Sequence, residues 1–339
     1  MKQKIVLLIA MFCYWTGIVW LFYKLNCHSK RIITFHNVMP ESLFPDGQII
    51  GLTNTEETFR GIIRVIKSHF NISTDVLDST TATLTFDDGY KNQLEVAGKI
   101  LNEEGEIPAI VFIAGRMIDN NNELDCLIVD RLLHWTWLAP CGHYSITQDT
   151  TIVFEMMKEN RADIWEYVIW PAFCNDLESK GEKLMDQLDK QYGNANIMNV
   201  CDSEYTRLRL QGIGVADMEK YEKKGWLFGW HTQNHYPLSK LSTKEKCEEI
   251  KPQTDKMKSI VFSYPYGELE SVDAECLHIA ELVGYPSAVS NVGEANLLMG
   301  KFFIPRMMLS SNFYLCNFEL CGLKYFLKTR RLLPILTKS

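Results

Sequence analysis

Thr81-Ala82-Thr83-Leu84-Thr85-Phe86-Asp87-Asp88-Gly89-Tyr90 is the stretch on which the fold turns. Its first six residues are rich in β-branched and apolar types, a strand signal, and the run stops abruptly at two carboxylates and a glycine. Adjacent carboxylates at a strand end repel each other unless a cation or a shared proton intervenes. One can then bind a metal while its neighbour stays free as a base, although Asp-Asp-Gly is also an ordinary turn signal. Working outward, the pattern repeats. Ile32-Ile33-Thr34-Phe35 ends at His36, and Ile107–Ala114 is apolar on both faces, as in a buried parallel strand. Trp226–Trp230 ends at His231, and Ile260–Tyr264, Ser287–Ser290 and Phe302–Met307 complete the strands. Between them fall helices. Phe59, Ile62, Ile63 and Ile66 have helical spacing, Leu94–Leu101 is stopped by Gly105, Ser242-Thr243-Lys244-Glu245 is a capping box, and Asp273–Val283 reads as a helix. This alternation predicts an α/β domain with parallel strands over residues 31–318, a barrel in preference to an open sheet.

Residues from about 116 to 212 break the rhythm. They are rich in Glu, Lys and Trp with little strand signal, and read as a largely helical insertion on one strand-to-helix connection. Trp135, Trp137, Trp165 and Trp170 either line a sugar-binding groove or form the insertion's own core.

The two ends differ from the body. Ile5 to Tyr23 is nineteen residues without a charge, long enough to cross a bilayer as one helix. Residues 1–30 are expected to be a hydrophobic membrane-anchor helix, which spans, lies on the surface, or docks on its own domain. Residues 319–339 are expected to be a basic amphipathic tail, which either suits a lipid surface or is a solvated final helix packing on the core. Of 339 residues, 35 are Lys or Arg and 42 are Asp or Glu. Ten of the basic residues lie in 1–31 and 320–339, so the body keeps 25 against all 42 acids. An acidic body argues against nucleic-acid binding, which needs clustered Lys and Arg. The ten scattered cysteines, with no CxxC pair, fit a reducing compartment and so the cytoplasmic face of the membrane.

Two more groups stand at strand ends, where α/β barrels place their sites. His231-Thr232-Gln233-Asn234-His235 offers two imidazoles at a spacing that can close on one metal. With Asp88 they make two imidazoles and a carboxylate, a catalytic-type set with room for water or substrate. Ser263-Tyr264-Pro265-Tyr266-Gly267 is either a plain Pro/Gly turn or a rigid loop whose backbone N–H groups face a developing oxyanion.

Taken in order, Thr85-Phe86-Asp87-Asp88-Gly89-Tyr90, His231-Thr232-x-x-His235 and Tyr264-Pro265-Tyr266-Gly267 resemble the polysaccharide deacetylase (NodB-homology) family. Ile107-Pro108-Ala109-Ile110-Val111-Phe112, Leu238-Ser239-Lys240-Leu241-Ser242 and Pro305-Arg306 resemble its flanking pattern, and the similarity spans about residues 31–310. The resemblance implies a distorted (β/α) barrel with a divalent metal, usually zinc (Zn2+), that removes acetyl from N-acetylated sugars. It implies Asp88, His231 and His235 as metal ligands and Asp87 as general base. It also implies that the Tyr266 backbone N–H holds the oxyanion, with Pro265 and Tyr266 against substrate. Thr34-Phe35-His36-Asn37-Val38 resembles the Tyr-His-x-Val strand of a circularly rearranged branch whose histidine is the acid, so His36 takes that role.

Two departures follow from the same comparison. The late Leu-x-His of many members is absent after Arg306, where Met307-Met308-Leu309 stands. The Arg that commonly precedes Pro-Tyr is Ser263 or Tyr264 here, so Arg306 is expected to steady Asp87 instead, or to form a merely structural salt bridge. The expected function is a membrane-associated, metal-dependent N-deacetylase of a polysaccharide or lipid-linked sugar, in surface glycan synthesis or modification. An O-acetyl esterase with the same site and a catalytically silent saccharide-binding domain are the rivals.

Overall fold

In the computed structural model, residues 2–175, 181–191, 197–291 and 300–333 are described. Strands β1 (Arg31–Phe35), β2 (Thr81–Phe86), β3 (Ile110–Ile113) and β4 (Leu227–Trp230) lie side by side, all parallel. A second parallel set follows: β5 (Phe262–Ser263), β6 (Ala288–Ser290) and β7 (Ile304–Pro305). The two sets close on each other at one seam. There the Thr34 N–H donates to the Met307 carbonyl at 3.0 Å and the Met307 N–H to the Ile32 carbonyl at 2.9 Å. At the opposite seam, β4 and β5 are joined through a side chain, the His231 ring nitrogen Nδ1 lying 2.8 Å from the Ser263 carbonyl. The result is a seven-stranded, distorted (β/α) barrel. Its strands are shorter than the apolar runs suggest, Ile107–Ala114 keeping only Ile110–Ile113 and Phe302–Met307 only Ile304–Pro305.

Alternation along the strands sorts the side chains. Ile32, Ile110, Phe112, Val261, Val289 and Ile304 form an apolar plug inside the ring, distinct from the large cluster outside it. Ile33, Phe35, Leu84, Phe86, Val111 and Ile113, one residue out of step, pack outward under the helices. The helix Glu56–Lys67 buries Phe59, Ile62, Ile63 and Ile66 there, each worth about 1.5–3 kcal/mol. Two residues on from the plug, the inward face becomes polar. Thr34, Thr85, Ser263, Asn291 and Arg306 cover it, and Asp87, His36 and His231 follow at the carboxyl ends.

The insertion holds more strand than its sequence suggests. An antiparallel hairpin pairs Gly142–Thr147 with Thr151–Met156, burying Tyr144, Ile146, Phe154 and Met156 on one face. The remaining positions are polar residues and Gly142 together with the exposed Ile152 and Val153, so the period of two is muted. Around it lie the helices Ile128–Leu138, Glu182–Gln191 and Ser203–Leu210.

The amino terminus also departs from a single helix. Two helices, Lys2–Trp15 and Ile18–Leu25, meet at 80°, and Gly17 at the break has a left-handed φ of 80°. Among the described residues no single helix is long and apolar enough to cross a membrane. The pair docks on the chain's own carboxyl-terminal helices. The Tyr23 hydroxyl donates to Asn317 Oδ1 at 3.1 Å, the Tyr14 ring meets Phe313 edge-on at 5.2 Å, and Phe22 packs on Phe326 at 5.1 Å. Of the basic tail, residues 334–339 lie outside the described residues.

Candidate metal centre and active site

Asp88, His231 and His235 converge. One ligand atom from each lies within 4.8 Å of the others, and all three residues are buried. His235 Nε2 is 3.3 Å and His231 Nε2 3.7 Å from Asp88 Oδ1. Ligand atoms about 2.0–2.1 Å from a tetrahedral zinc ion sit roughly 3.4 Å apart, so the spacing fits a small divalent cation. The donor set fits as well. His231 Nδ1–H is spent on the Ser263 carbonyl, which fixes the tautomer and leaves the Nε2 lone pair free. That Nε2 and Asp88 Oδ1 are buried with no hydrogen-bond partner among the described residues. Burial, then the nearby Asp130 and Asp87 carboxylates, push the Asp88 carboxyl well up, while burial and His231 push His235 well down. Both shifts mark a site that carries charge poorly unless a cation sits in it.

The backbone is bent to make this arrangement. Asp88, Thr232, His235 and Tyr266 all have left-handed φ, between 59° and 84°. Such conformations are costly for residues other than glycine and gather at functional sites. Gly89, at φ 91°, is needed for space: a Cβ there would lie 2.5 Å from Ile113 Cγ2. Glu249 holds the histidine loop. Its carboxylate accepts from the Asn234 N–H at 2.8 Å and from Asn234 Nδ2 at 2.7 Å. Its carbonyl accepts from Gln233 N–H at 3.1 Å and Trp230 Nε1 at 2.9 Å. Nothing local in the sequence marks Glu249 for this work.

Asp87 stands beside the cluster but outside it. Arg306 grips it with both ends of its guanidinium, at 2.7 and 2.6 Å, and also donates to Ser263 Oγ at 2.9 Å and Thr85 Oγ1 at 3.1 Å. Burial by itself would raise the Asp87 carboxyl, but Arg306 and then His231 hold it well below the usual carboxylate range. Ser263, one of the two positions at which the resemblance expects an arginine, instead accepts from Arg306. His36 Nε2 is 3.9 Å from Asp87 Oδ2, and His231 Nε2 is 4.0 Å from the same oxygen. Burial, partly opposed by Asp87, lowers His36 to about 4, so its ring is neutral at pH 7.

A cavity of about 630 Å³ opens over these groups. His36, Asp88, His235 and Tyr266 line it from the barrel, and Trp137, Trp165 and Trp170 from the insertion. Trp135 is buried in the insertion's own core, edge-on to Tyr144 at 4.9 Å. The four tryptophans therefore divide between the two readings, three in the wall and one in the core. Tyr266 packs edge-on against Trp170 at 4.8 Å and His235 at 4.7 Å, and its N–H makes no hydrogen bond to the described residues. Pro265 is buried behind it and does not line the cavity. Asp130 and Arg209 also line the cavity, from two insertion helices. Sequence reasoning passed over both, since a lone Asp and a lone Arg in helical segments carry no pattern.

No protein-family model matches the chain, and no curated protein matches it. Among solved structures it is similar to the Streptococcus pyogenes deacetylase PplD in complex with acetate, at 13% identity and a TM-score of 0.48, covering 83% of this chain and 92% of that one. It is similar to a de-N-acetylase from Aggregatibacter actinomycetemcomitans at 11% identity and a TM-score of 0.44, covering 84% and 95%. It is similar to IcaB from Ammonifex degensii at 11% identity and a TM-score of 0.46, covering 84% and 92%. With every TM-score below 0.5 the likeness is loose, and it does not say what this chain acts on.

Proposed function

We propose that the chain is a metal-dependent hydrolase that removes N-acetyl groups from a saccharide, as its motif resemblance to polysaccharide deacetylases implies. One observation carries this reading: a buried Asp88–His231–His235 set fit for a divalent cation, most simply zinc, with Asp87 free beside it and clamped by Arg306. These three residues would hold a cation, which would supply polarisation of an acetyl carbonyl and a water whose pKa is lowered toward ~7. Arg306 keeps Asp87 ionised and aims Oδ2 at the gap between His231 and His36. Asp87 takes the water's proton there. His36, neutral at rest, receives it at Nε2 and delivers it to the departing nitrogen. Two weak bases in series suit a proton whose final acceptor, an amine, is far more basic. The C–N bond breaks, a C–O bond forms, and acetate and a free amine leave. Tyr266 supports the site with an N–H available to the oxyanion. The three tryptophans offer flat apolar faces to a sugar ring.

The test is acetate release from N-acetylglucosamine oligomers by purified protein, with and without chelator. Release that stops on chelation and in Asp87→Asn, with metal content retained in the variant, supports the reading. Release that persists in Asp87→Asn refutes the base, and no release from any N-acetylated saccharide refutes the activity.

The bent helix pair supports a seat on a lipid surface rather than a span. Leu8, Phe12 and Trp15 are 65%, 63% and 73% exposed, and Trp20 and Leu21 about half, an apolar face that water does not favour. Exposed Lys4, Lys24, Lys328, Arg330 and Arg331 flank it with charge suited to anionic headgroups. Ten free thiols support the cytoplasmic side. Sedimentation with phosphatidylglycerol vesicles, lost in Phe12→Ser/Trp15→Ser, is the expected result. Equal recovery with the vesicles for both proteins overturns the seat.

A further inference from the structure

The cavity wall contributed by the insertion contains a second polar group. Arg209 is 1% exposed, and its Nη2 donates to Asp130 Oδ1 at 2.6 Å. The Tyr90 hydroxyl donates to the other Asp130 oxygen, and the Arg209 guanidinium lies 5.1 Å over the Tyr90 ring. This ties the pair to the turn that carries Asp87 and Asp88. Arg209 Nε and Nη1 are buried with no partner among the described residues, in a side chain that lines the cavity. Burying two donor nitrogens of a cation, with three N–H groups between them, without acceptors is costly. Gly51 lines the same cavity, close to Arg209 Nη2.

We propose that Arg209, steadied by Asp130, is a saccharide-binding residue whose free N–H groups take hydroxyl oxygens of a neutral sugar ring. This rests on the deacetylase reading for the identity of the ligand. Charge selects that class. Arg209 is the one Lys or Arg among the cavity's described lining residues, and Asp130 neutralises it at contact distance. Glu166 and Glu268 line the same cavity, so an anionic uronate or phosphate is disfavoured. The tryptophans would take the ring's apolar face and Arg209 its hydroxyl edge. That division of labour places a ring in the cavity that Asp88, His235 and Tyr266 also line.

The experiment is calorimetric titration of zinc-loaded protein with N-acetylglucosamine tetramer, comparing wild type with Arg209→Gln and Arg209→Lys. Lysine keeps the charge beside Asp130 but not the planar fork. Both variants should bind at least tenfold more weakly, with KM rising in step and zinc content unchanged. Wild-type affinity in either variant, or loss of zinc with the sugar, overturns the assignment by reducing Arg209 to a structural partner of Asp130. Tighter binding of a uronate oligomer than of the neutral tetramer overturns the ligand class. A wild-type protein that binds no saccharide overturns the subsite. Arg209-dependent binding without acetate release leaves the subsite standing and defeats the hydrolase instead.

Discussion

Arg306 closes on Asp87 across β1, Nη1 to Oδ1 at 2.7 Å and Nη2 to Oδ2 at 2.6 Å, with both side chains fully buried. The two residues follow β7 and β2, the strands on either side of β1, and lie 219 residues apart, so the ion pair spans the seam while orienting the base.

Arg306→Gln should therefore cost both stability and activity. Removing one partner strands a buried carboxylate, which costs about 3–5 kcal/mol. Asp87 then rises out of its depressed range and is partly protonated when it must accept a proton. A urea midpoint shift and a fall in acetate release of at least about a hundredfold are expected. Unchanged activity at unchanged stability would show the pair to be idle.

Much of this site was legible because strand periodicity aims the residues. A β-rich run that ends in Asp87-Asp88-Gly89 puts its second carboxylate at a carboxyl end, and the run ending at His231 does the same for an imidazole. Arg306 was legible only as a candidate, since its partner is set by how the ring closes. Arg209 and Asp130 were silent, being 79 residues apart with no local signature. The charge-free stretch from Ile5 to Tyr23 read as one helix because composition does not show that Gly17 turns the chain through 80°.

Removing one ligand should empty the site. Asp88→Asn keeps the shape but loses the anionic donor, so zinc stoichiometry by elemental analysis should fall well below one. Zinc added at a hundredfold above its dissociation constant should stabilise wild type by about 2.7 kcal/mol, and the variant far less. Equal thermal shifts in the two proteins would place the cation elsewhere.

Stability should fall on mild acidification. Burial, and then Arg209, lower His134 from 6.5 to about 4, although Asp130 opposes them. Its Nδ1–H meets the Asp130 carbonyl at 2.6 Å and its Nε2 the Tyr205 hydroxyl at 2.9 Å, so the neutral ring fits and the charged ring does not. Between about pH 6.5 and 4 the unfolded chain holds the extra proton, so stability is full above that window and drops through it. The loss is on the order of 3 kcal/mol for this group. The melting temperature of wild type should decline over the window, and that of His134→Gln should decline less. Parallel curves would remove His134 from the account.

Gly89→Ala tests whether the metal set depends on the turn or only on its side chains. No ligand is altered, yet the new methyl would meet Ile113 Cγ2 at 2.5 Å, and φ 91° is strained for any residue with a Cβ. Ile113 lies in β3, and the Ala114 N–H donates to the Asp88 carbonyl at 3.2 Å, so the clash falls on the link that seats Asp88. The turn has to move away from β3, taking Asp88 off the two imidazoles, while the outer core stays packed. The expected outcome is a folded protein with weakened zinc affinity and acetate release down at least tenfold. Full zinc affinity in that variant would mean that the turn yields without moving the carboxylate, and that the left-handed backbone at Asp88 and Gly89 does not position the ligand.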